Sequence, residues 1–479
     1  MTHAPDLMFV GGAWTPAIGG GVWPLVDPGR GEAFAEVAYG DARDAQAALD
    51  AAAGAFPAWS ARTAYDRAAL LERAADLIAS RVDVYARRTT EESGKPLAQA
   101  RGEWAGAPNY LRFAAEEARR LGGRWIPARL PGRRIDVQYA PLGVVGVITA
   151  WNFPIYNVNR AVASALAAGC TAVVRPSEFT PRSALDYAQA FADAGLPAGV
   201  LNVVNGAPGP MAEAMMADPR CRKVAFTGST RVGRLLMDAA SKTIKRLALE
   251  LGGNAPVLVF PDTDVAAVAR AGVTAKLRNA GQVCIAPQRF IVHASVAQAF
   301  TEAALEQLGR EVMGHGLDPA STVGPLINAT QRDRVAALVD ASVSGGGRAR
   351  CGGRRPEGPG FFYPPTLLDG LSPDAPALRE EVFGPVLPVQ TFETTDEALR
   401  RAHDTEYGLA AYVFTRDLRT AFEVSERLDF GLVGVNDWYP VTAEAPFGGT
   451  RQSGLGRESG VEGLHEYVEA RTRYFGGMP

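Results

Sequence analysis

Cys284 lies in Arg278-Asn-Ala-Gly-Gln-Val-Cys-Ile-Ala-Pro, a polar, glycine-containing loop between Arg278 and Arg289. The thiolate rather than the thiol is the nucleophile, and nearby cationic charge favours it. The context therefore predicts a loop-borne sulfur with a lowered pKa, able to add to an electrophilic carbon. The other three cysteines read as small hydrophobes. Cys170 follows Gly169 and opens a strand, Cys221 precedes a strand, and Cys351 lies in a glycine-rich turn.

Glu250 offers a second reactive group. In Leu247-Ala-Leu-Glu-Leu-Gly-Gly a single carboxyl stands inside an apolar strand. There it must be paired, or its pKa climbs toward the range of a general base. A strand-end carboxylate bonded to local amides is the alternative. Trp151-Asn-Phe-Pro ends a strand, and ligands bind at the carboxyl ends of strands in open α/β sheets. The Asn152 amide is placed either to donate to a developing oxyanion or to make an Asx turn before Pro154. Phe226-Thr-Gly-Ser-Thr-Arg-Val-Gly joins a strand to a helix N-terminus, which suits a phosphate, although it does not spell G-x-G-x-x-G.

The elements that must hold these groups follow from periodicity. Residues 41 to about 121 repeat apolar positions at three and four, the helical spacing. Residues 124–139 turn at Pro131-Gly132 and then alternate, as a β-hairpin does. From Gly143 strand and helix alternate: strands at 144–149, 171–174, 200–204 and 223–227, and helices at 157–168, 181–195, 208–217 and 230–240. Thr180-Pro181 is expected to cap the second helix. Repeated units of this length imply a parallel sheet covered on both faces. A second α/β region spans about 251–435, with a helix from Asp264 to near Gly281. Residues 345–360 form a loop rich in Gly, Arg and Pro, and 465–475 a final strand.

Bulk properties narrow the field. A chain of 479 residues calls for more than one lobe, and a formal charge of −3 gives no reason to expect nucleic acid or an anionic membrane as partner. The start carries no basic-then-apolar run, and the longest apolar stretches are too short or too interrupted to span a bilayer. Widely spaced cysteines without C-x-x-C offer no disulfide frame or metal site and fit a cytoplasmic location. Of 49 basic residues only five are lysines, Lys95, Lys223, Lys242, Lys245 and Lys276.

The blocks TAWNFP, RPSE, FTGST, LELGG, NAGQVC, EEVFGP and PFGG followed by SGLGRE stand in an order and spacing that resemble the aldehyde dehydrogenase superfamily. The likeness runs from about residue 10 to the end. It is strongest to the succinic-semialdehyde branch, through ALAAGC, ELGGNAP, KLRNAGQVC, GLAAYVFTRD and SGLGRES. The resemblance implies an α/β fold with a Rossmann-type cofactor domain (1–123 and 143–250), an α/β catalytic domain (251–450) and a small β oligomerisation arm (124–142 and 460–479). It implies a homodimer or homotetramer.

By the same resemblance Cys284 is the nucleophile and Glu250 the base that activates water. Asn152 and the Cys284 backbone N–H form the oxyanion hole. The aldehyde becomes a thioester as hydride passes to the nicotinamide, and water then releases the carboxylate. Branches that transfer the acyl group to coenzyme A usually lack this Glu. Cofactor contacts are implied at Thr149, Trp151, Arg175, Ser177, Glu178, Gly228, Ser229, Leu251, Glu381 and Phe383. Glu178 favours NAD over NADP, whereas Arg175, where the family usually has Lys, suits a 2′-phosphate. Arg160 and Arg278 fall where the branch holds the substrate's distal carboxylate, a structural ion pair being the alternative for each. Val441 replaces that branch's serine, and Trp438 and Tyr439 add aromatic bulk to the tunnel. The expected substrate is succinic semialdehyde or a homologue such as glutaric semialdehyde. A general or aromatic aldehyde is the alternative, and a catalytically silent NAD-binding protein the alternative of another class.

Overall fold

Residues 6–477 are described by the computed structural model of the chain; 1–5 and 478–479, the tips of the first and last expected segments, lie outside them. An eight-stranded sheet runs in spatial order Ala13–Thr15, Met8–Val10, Leu201–Val203, Thr171–Arg175, Val144–Ile148, Cys221–Thr227, Arg246–Glu250 and Gly454–Leu455. Its central strands, from Leu201–Val203 to Arg246–Glu250, are parallel. Val144–Ile148 and Thr171–Arg175 are buried along their whole length, which is why they read as uninterrupted apolar runs.

The strand order reverses at Val144–Ile148. The chain steps outward through Thr171–Arg175 and Leu201–Val203, then crosses to Cys221–Thr227 and Arg246–Glu250 on the other flank. A reversal of this kind opens a crevice at the carboxyl ends of the strands that part. It sets residues 149–152 beside 228–229.

A seven-stranded sheet holds Arg348–Cys351, Thr366–Asp369, Val386–Phe392, Pro287–His293, Ala255–Val259, Ala410–Phe414 and Leu432–Val435, parallel except for the first pair. A three-stranded antiparallel sheet pairs Val468–Gly476 with Arg133–Pro141 and the latter with Arg124–Ile126, so the expected hairpin and tail strand form one unit.

The helical run resolves into Ala42–Ser60, Ala64–Ser80, Val82–Ser93 and Leu97–Arg120. Several expected boundaries move. The helix after Asn152 begins at Pro154, whose missing N–H costs nothing in a first turn. Cys221 opens its strand, Cys351 ends one, and a short helix, Gly460–His465, precedes the tail strand. Thr180 makes no side-chain cap; its hydroxyl donates to the Trp151 carbonyl. The helix Pro181–Asp193 is capped instead by Glu92, whose buried carboxyl accepts from the backbone N–H groups of Arg182 (2.8 Å) and Ser183 (3.0 Å). A carboxyl bridging two amides satisfies more of the free helix end than one hydroxyl can.

Candidate active site

The loop bearing Cys284 owes its course to a tight turn. The helix Val265–Leu277, capped by Asp264 as expected, stops before Gly281. Asn279 (φ 49°), Ala280 (φ 53°) and Gly281 (φ 76°) follow in the left-handed region. Each such non-glycine residue carries a cost of order 1–3 kcal/mol, sustained only where contacts over-determine it. Here Asn279 supplies them: its N–H donates to Gln99 Oε1 (2.7 Å) and its Nδ2 to the Asn152 carbonyl (2.9 Å). A Cβ on Gly281 would strike the Gly384 carbonyl, so the turn demands glycine twice over, by φ and by space.

Asn152, just past the strand Val144–Ile148, makes no Asx turn. Its Nδ2 donates to the Gln282 carbonyl (3.1 Å) and its Oδ1 accepts from Asn157 Nδ2 (3.1 Å). Its backbone carbonyl also accepts from Lys95 Nζ (2.8 Å). Lys95 is fully buried, paired with Glu103 (2.6 Å) and seated over the Phe153 ring (4.3 Å). Glu103 in turn accepts from the N–H groups of Ile155 and Tyr156 at the start of the next helix. Nothing in the sequence reading pointed to Lys95, Glu103 or Asn157.

Cys284 is half-buried and lines a cavity of about 140 Å³ with Asn152, Arg278, Tyr439 and Val441. Burial pushes its thiol up to about 12, against the pull of Arg160. The expected depression fails because burial outweighs the nearby positive charge, and of the two flanking arginines Arg289 is engaged elsewhere. Arg289 is buried and donates to the carbonyls of Asn254, Arg401 and Ala402. Glu250, the last residue of Arg246–Glu250, is buried with both carboxyl oxygens unpartnered. The reading of a carboxylate bonded to local amides therefore does not hold. Burial, and after it the Glu458 carboxylate, raise its pKa well above the usual range, opposed by Arg160 and Arg457.

The two arginines of the expected carboxylate clamp part company. Arg160 donates through Nε to Glu458 (2.8 Å) and through Nη2 to Asn157 Oδ1 (3.3 Å), with its guanidinium 4.1 Å from the Phe447 ring centroid. It is buried and ion-paired, yet it lines the same cavity as Cys284 and Arg278. Arg278 is half-buried at the cavity wall, and among the described residues no carboxylate lies within salt-bridge distance of it. Its guanidinium is 4.8 Å from the Phe153 ring centroid and 5.8 Å from that of Tyr439. Trp438 does not line the cavity. It packs on Phe414 (4.2 Å between centroids), Tyr412 and Phe290, over Gly272, because the strand Leu432–Val435 delivers it to the sheet core. Tyr110, Phe153, Tyr156 and Phe447 line the cavity in its place.

On the cofactor side, Gly228 and Ser229 follow the strand Cys221–Thr227, and Ser229 caps the helix Thr230–Ser241. Trp151 meets Phe383 edge-on at 5.5 Å. Glu381 accepts from the Gly253 N–H (3.0 Å), and burial raises its pKa to about 7. Leu251 packs on Gly233. Arg175 Nη2 bonds Glu178 (2.8 Å) and the Gly206 carbonyl (2.7 Å). A helix N-terminus at the sheet's switch point, with acceptors at Glu178 and Glu381, fits a dinucleotide.

A profile of the aldehyde dehydrogenase family matches residues 14–473. The chain is 46% identical to a succinate-semialdehyde dehydrogenase of Paenarthrobacter nicotinovorans over 92% of its length and 98% of the relative's. It is 40% identical to an NADP(+) succinate-semialdehyde dehydrogenase of Escherichia coli K12, covering 98% and 97% of the two chains. The crystal structure of succinate-semialdehyde dehydrogenase from Burkholderia pseudomallei superposes with a TM-score of 0.96 at 40% identity, over 98% of each chain.

Proposed function

The chain belongs to the aldehyde dehydrogenase family, and from that premise we propose that it oxidises an ω-oxo acid through a Cys284 thioester hydrolysed with Glu250 as base. In this reading Cys284 loses its proton to solvent, the thiolate sulfur bonds to the aldehyde carbon, and the oxyanion that forms takes hydrogen bonds from Asn152 Nδ2 and the Cys284 N–H. Held beside Gly228, Ser229 and Glu381, NAD(P) would supply the hydride acceptor needed between this adduct and the thioester. Glu250 then takes a proton from water as its oxygen attacks the thioester carbon, and the carbon–sulfur bond breaks to release the acid. The observation that carries the reading is Glu250 itself, a buried carboxyl with both oxygens free for a water.

Succinic semialdehyde or glutaric semialdehyde is the proposed substrate, and the unpaired Arg278 at the cavity wall supports it. A free guanidinium suits a distal carboxylate better than an alkyl or aryl tail. Charge-assisted hydrogen bonds are worth about 1.5–3 kcal/mol. Arg278→Ala is therefore expected to lower kcat/KM for succinic semialdehyde by roughly ten- to a hundredfold, and that for butanal or benzaldehyde little. If butanal or benzaldehyde is the better substrate and the ranking survives the substitution, the clamp is wrong.

NAD is the proposed preferred cofactor. Glu178 keeps an oxygen for a ribose hydroxyl while Arg175 is tied to Glu178 and Gly206. Like charges at about 4 Å repel by about 1–4 kcal/mol, depending on the local dielectric. A kcat/KM advantage for NAD on the order of tenfold or more follows. A clear NADP advantage in that comparison contradicts it.

The cofactor domain is assigned to 1–123 and 143–250, the catalytic domain to 251–450 and the oligomerisation arm to 124–142 and 460–479, a division supported by the three sheets. The arm's outer strand, Val468–Gly476, is exposed from Ala470 onward, with Tyr474 73% accessible. Such an edge seeks a partner, so a homodimer or homotetramer is expected by light scattering at micromolar concentration. A monomer there contradicts this assignment. Among the described residues no helix is long and apolar enough to cross a membrane. A cytoplasmic location belongs to the same proposal, supported by four cysteines that stand as free thiols.

A further inference from the structure

We propose that Asn157 is a positioning residue that fixes which end of the Asn152 amide faces Cys284. The inference rests on the reading of Asn152 as oxyanion donor. Three side chains form one directed chain: Arg160 Nη2 donates to Asn157 Oδ1 (3.3 Å), Asn157 Nδ2 to Asn152 Oδ1 (3.1 Å), and Asn152 Nδ2 to the Gln282 carbonyl (3.1 Å). An amide presents a donor at one end and an acceptor at the other and can turn over, so direction comes from its partners. Both ends of this chain are fixed by chemistry. A guanidinium only donates, so Asn157 must offer it oxygen and turn its nitrogen to Asn152. A backbone carbonyl only accepts, so Asn152 must offer it nitrogen. The two requirements agree, and the second N–H of the Asn152 amide is left for the cavity that Cys284 also lines.

The surroundings make the direction costly to reverse. Asn152, Asn157 and Arg160 are all buried, and a buried polar group left without a partner costs about 1–3 kcal/mol. Turning the Asn152 amide over would set oxygen against the Gln282 carbonyl and nitrogen against Asn157 Nδ2 at once. Glu458, at 2.8 Å from Arg160 Nε, holds the guanidinium at the head of the chain. Arg160, which also lines the cavity, thereby heads the chain that orients the oxyanion donor.

The test compares Asn157→Leu, Asn157→Asp, Asn152→Ala and the double variant Asn152→Ala/Asn157→Leu by the rate of cofactor reduction in the first turnover. Leucine removes all three bonds of the Asn157 side chain, the third being Nδ2 to the Ala150 carbonyl (3.3 Å), at similar volume. Aspartate keeps the bond from Arg160 but can only accept, so it draws the nitrogen end of Asn152 away from the Gln282 carbonyl. Losing one oxyanion donor costs about 10²–10³ in rate, which bounds the effect. Asn157→Leu is expected to slow the first turnover about tenfold and Asn157→Asp more, with KM for the cofactor unchanged. Alkylation of Cys284 by iodoacetamide builds no oxyanion at the sulfur-bound carbon, so its rate should change by less than about twofold in Asn157→Leu. On the Asn152→Ala background, Asn157→Leu should add less than about twofold, since distinct residues acting through one group are not additive. Wild-type rates in both Asn157 variants beside a slow Asn152→Ala overturn the inference alone, as does full additivity in the double variant. A fast Asn152→Ala overturns the oxyanion reading and the inference with it. Should Asn157→Leu not fold, Asn157→Asp carries the comparison.

Discussion

Cys284→Ala is expected to lower aldehyde-dependent cofactor reduction by on the order of 10⁴–10⁶, the scale on which losing a covalent nucleophile acts. No other thiol can stand in. Cys170 is buried against the Tyr467 carbonyl, Cys221 against that of Lys223, and Cys351 bonds the Pro365 carbonyl. The side chain is half-buried, so the melting temperature should move by only a few degrees. Activity within tenfold of wild type in the purified variant would remove Cys284 from the chemistry. The thiol's own titration offers a second check. With its pKa raised to about 12 by burial, the thiolate fraction at pH 7 is small and grows tenfold per pH unit. Iodoacetamide alkylation of the enzyme without cofactor should therefore keep accelerating above pH 9, and a plateau near pH 8 contradicts the assignment.

Glu250→Gln is expected to separate the two halves of the reaction. The first turnover should survive, giving a burst of reduced cofactor, while steady turnover falls by about 10²–10⁴, the usual worth of a general base. A variant that loses the burst as well, or turns over normally, contradicts the role. Only the deprotonated carboxyl accepts a proton from water. Wild-type turnover should therefore rise with pH through the elevated pKa of Glu250, and the glutamine variant should lack that limb. The stability consequence has a definite sign. Between the ordinary carboxyl pKa and the raised one, the folded state holds a proton that the unfolded state has lost, so stability falls as pH rises through that window. Glutamine removes this slope, and its melting temperature at pH 8 should equal or exceed that of wild type.

What the sequence made legible is what leaves a local pattern. Apolar runs of strand length marked the buried parallel strands, and the loop around Cys284 and the strand ending at Glu250 stood out by residue type. Groups that act across long sequence separations did not. Asn152 and Gln282 meet over 130 residues, and Arg160 and Glu458 over 298, so the pairing of Arg160 was invisible along the chain. Trp438 and Tyr439 share the loop before PFGG and read alike as aromatic bulk at the tunnel, yet Trp438 packs on Phe414 and Tyr412 while only Tyr439 lines the cavity. One signal for Lys95 was available. In a chain that otherwise uses arginine, four of the five lysines, Lys95, Lys223, Lys245 and Lys276, are buried. An ammonium is a compact point charge with three donors, so a lysine retained in such a chain marks a small polar cage such as the one formed by Glu103 and the Asn152 carbonyl.

The covalent intermediate can be looked for directly. Glu250→Gln, mixed with NAD and succinic semialdehyde, quenched in acid after the burst and digested, should yield the Cys284 peptide heavier by the aldehyde less two hydrogens, the mass of a thioester. That adduct should be absent from Cys284→Ala and should form in step with the burst. A full burst with an unmodified Cys284 peptide, or an adduct on another residue, would contradict oxidation through a Cys284 thioester.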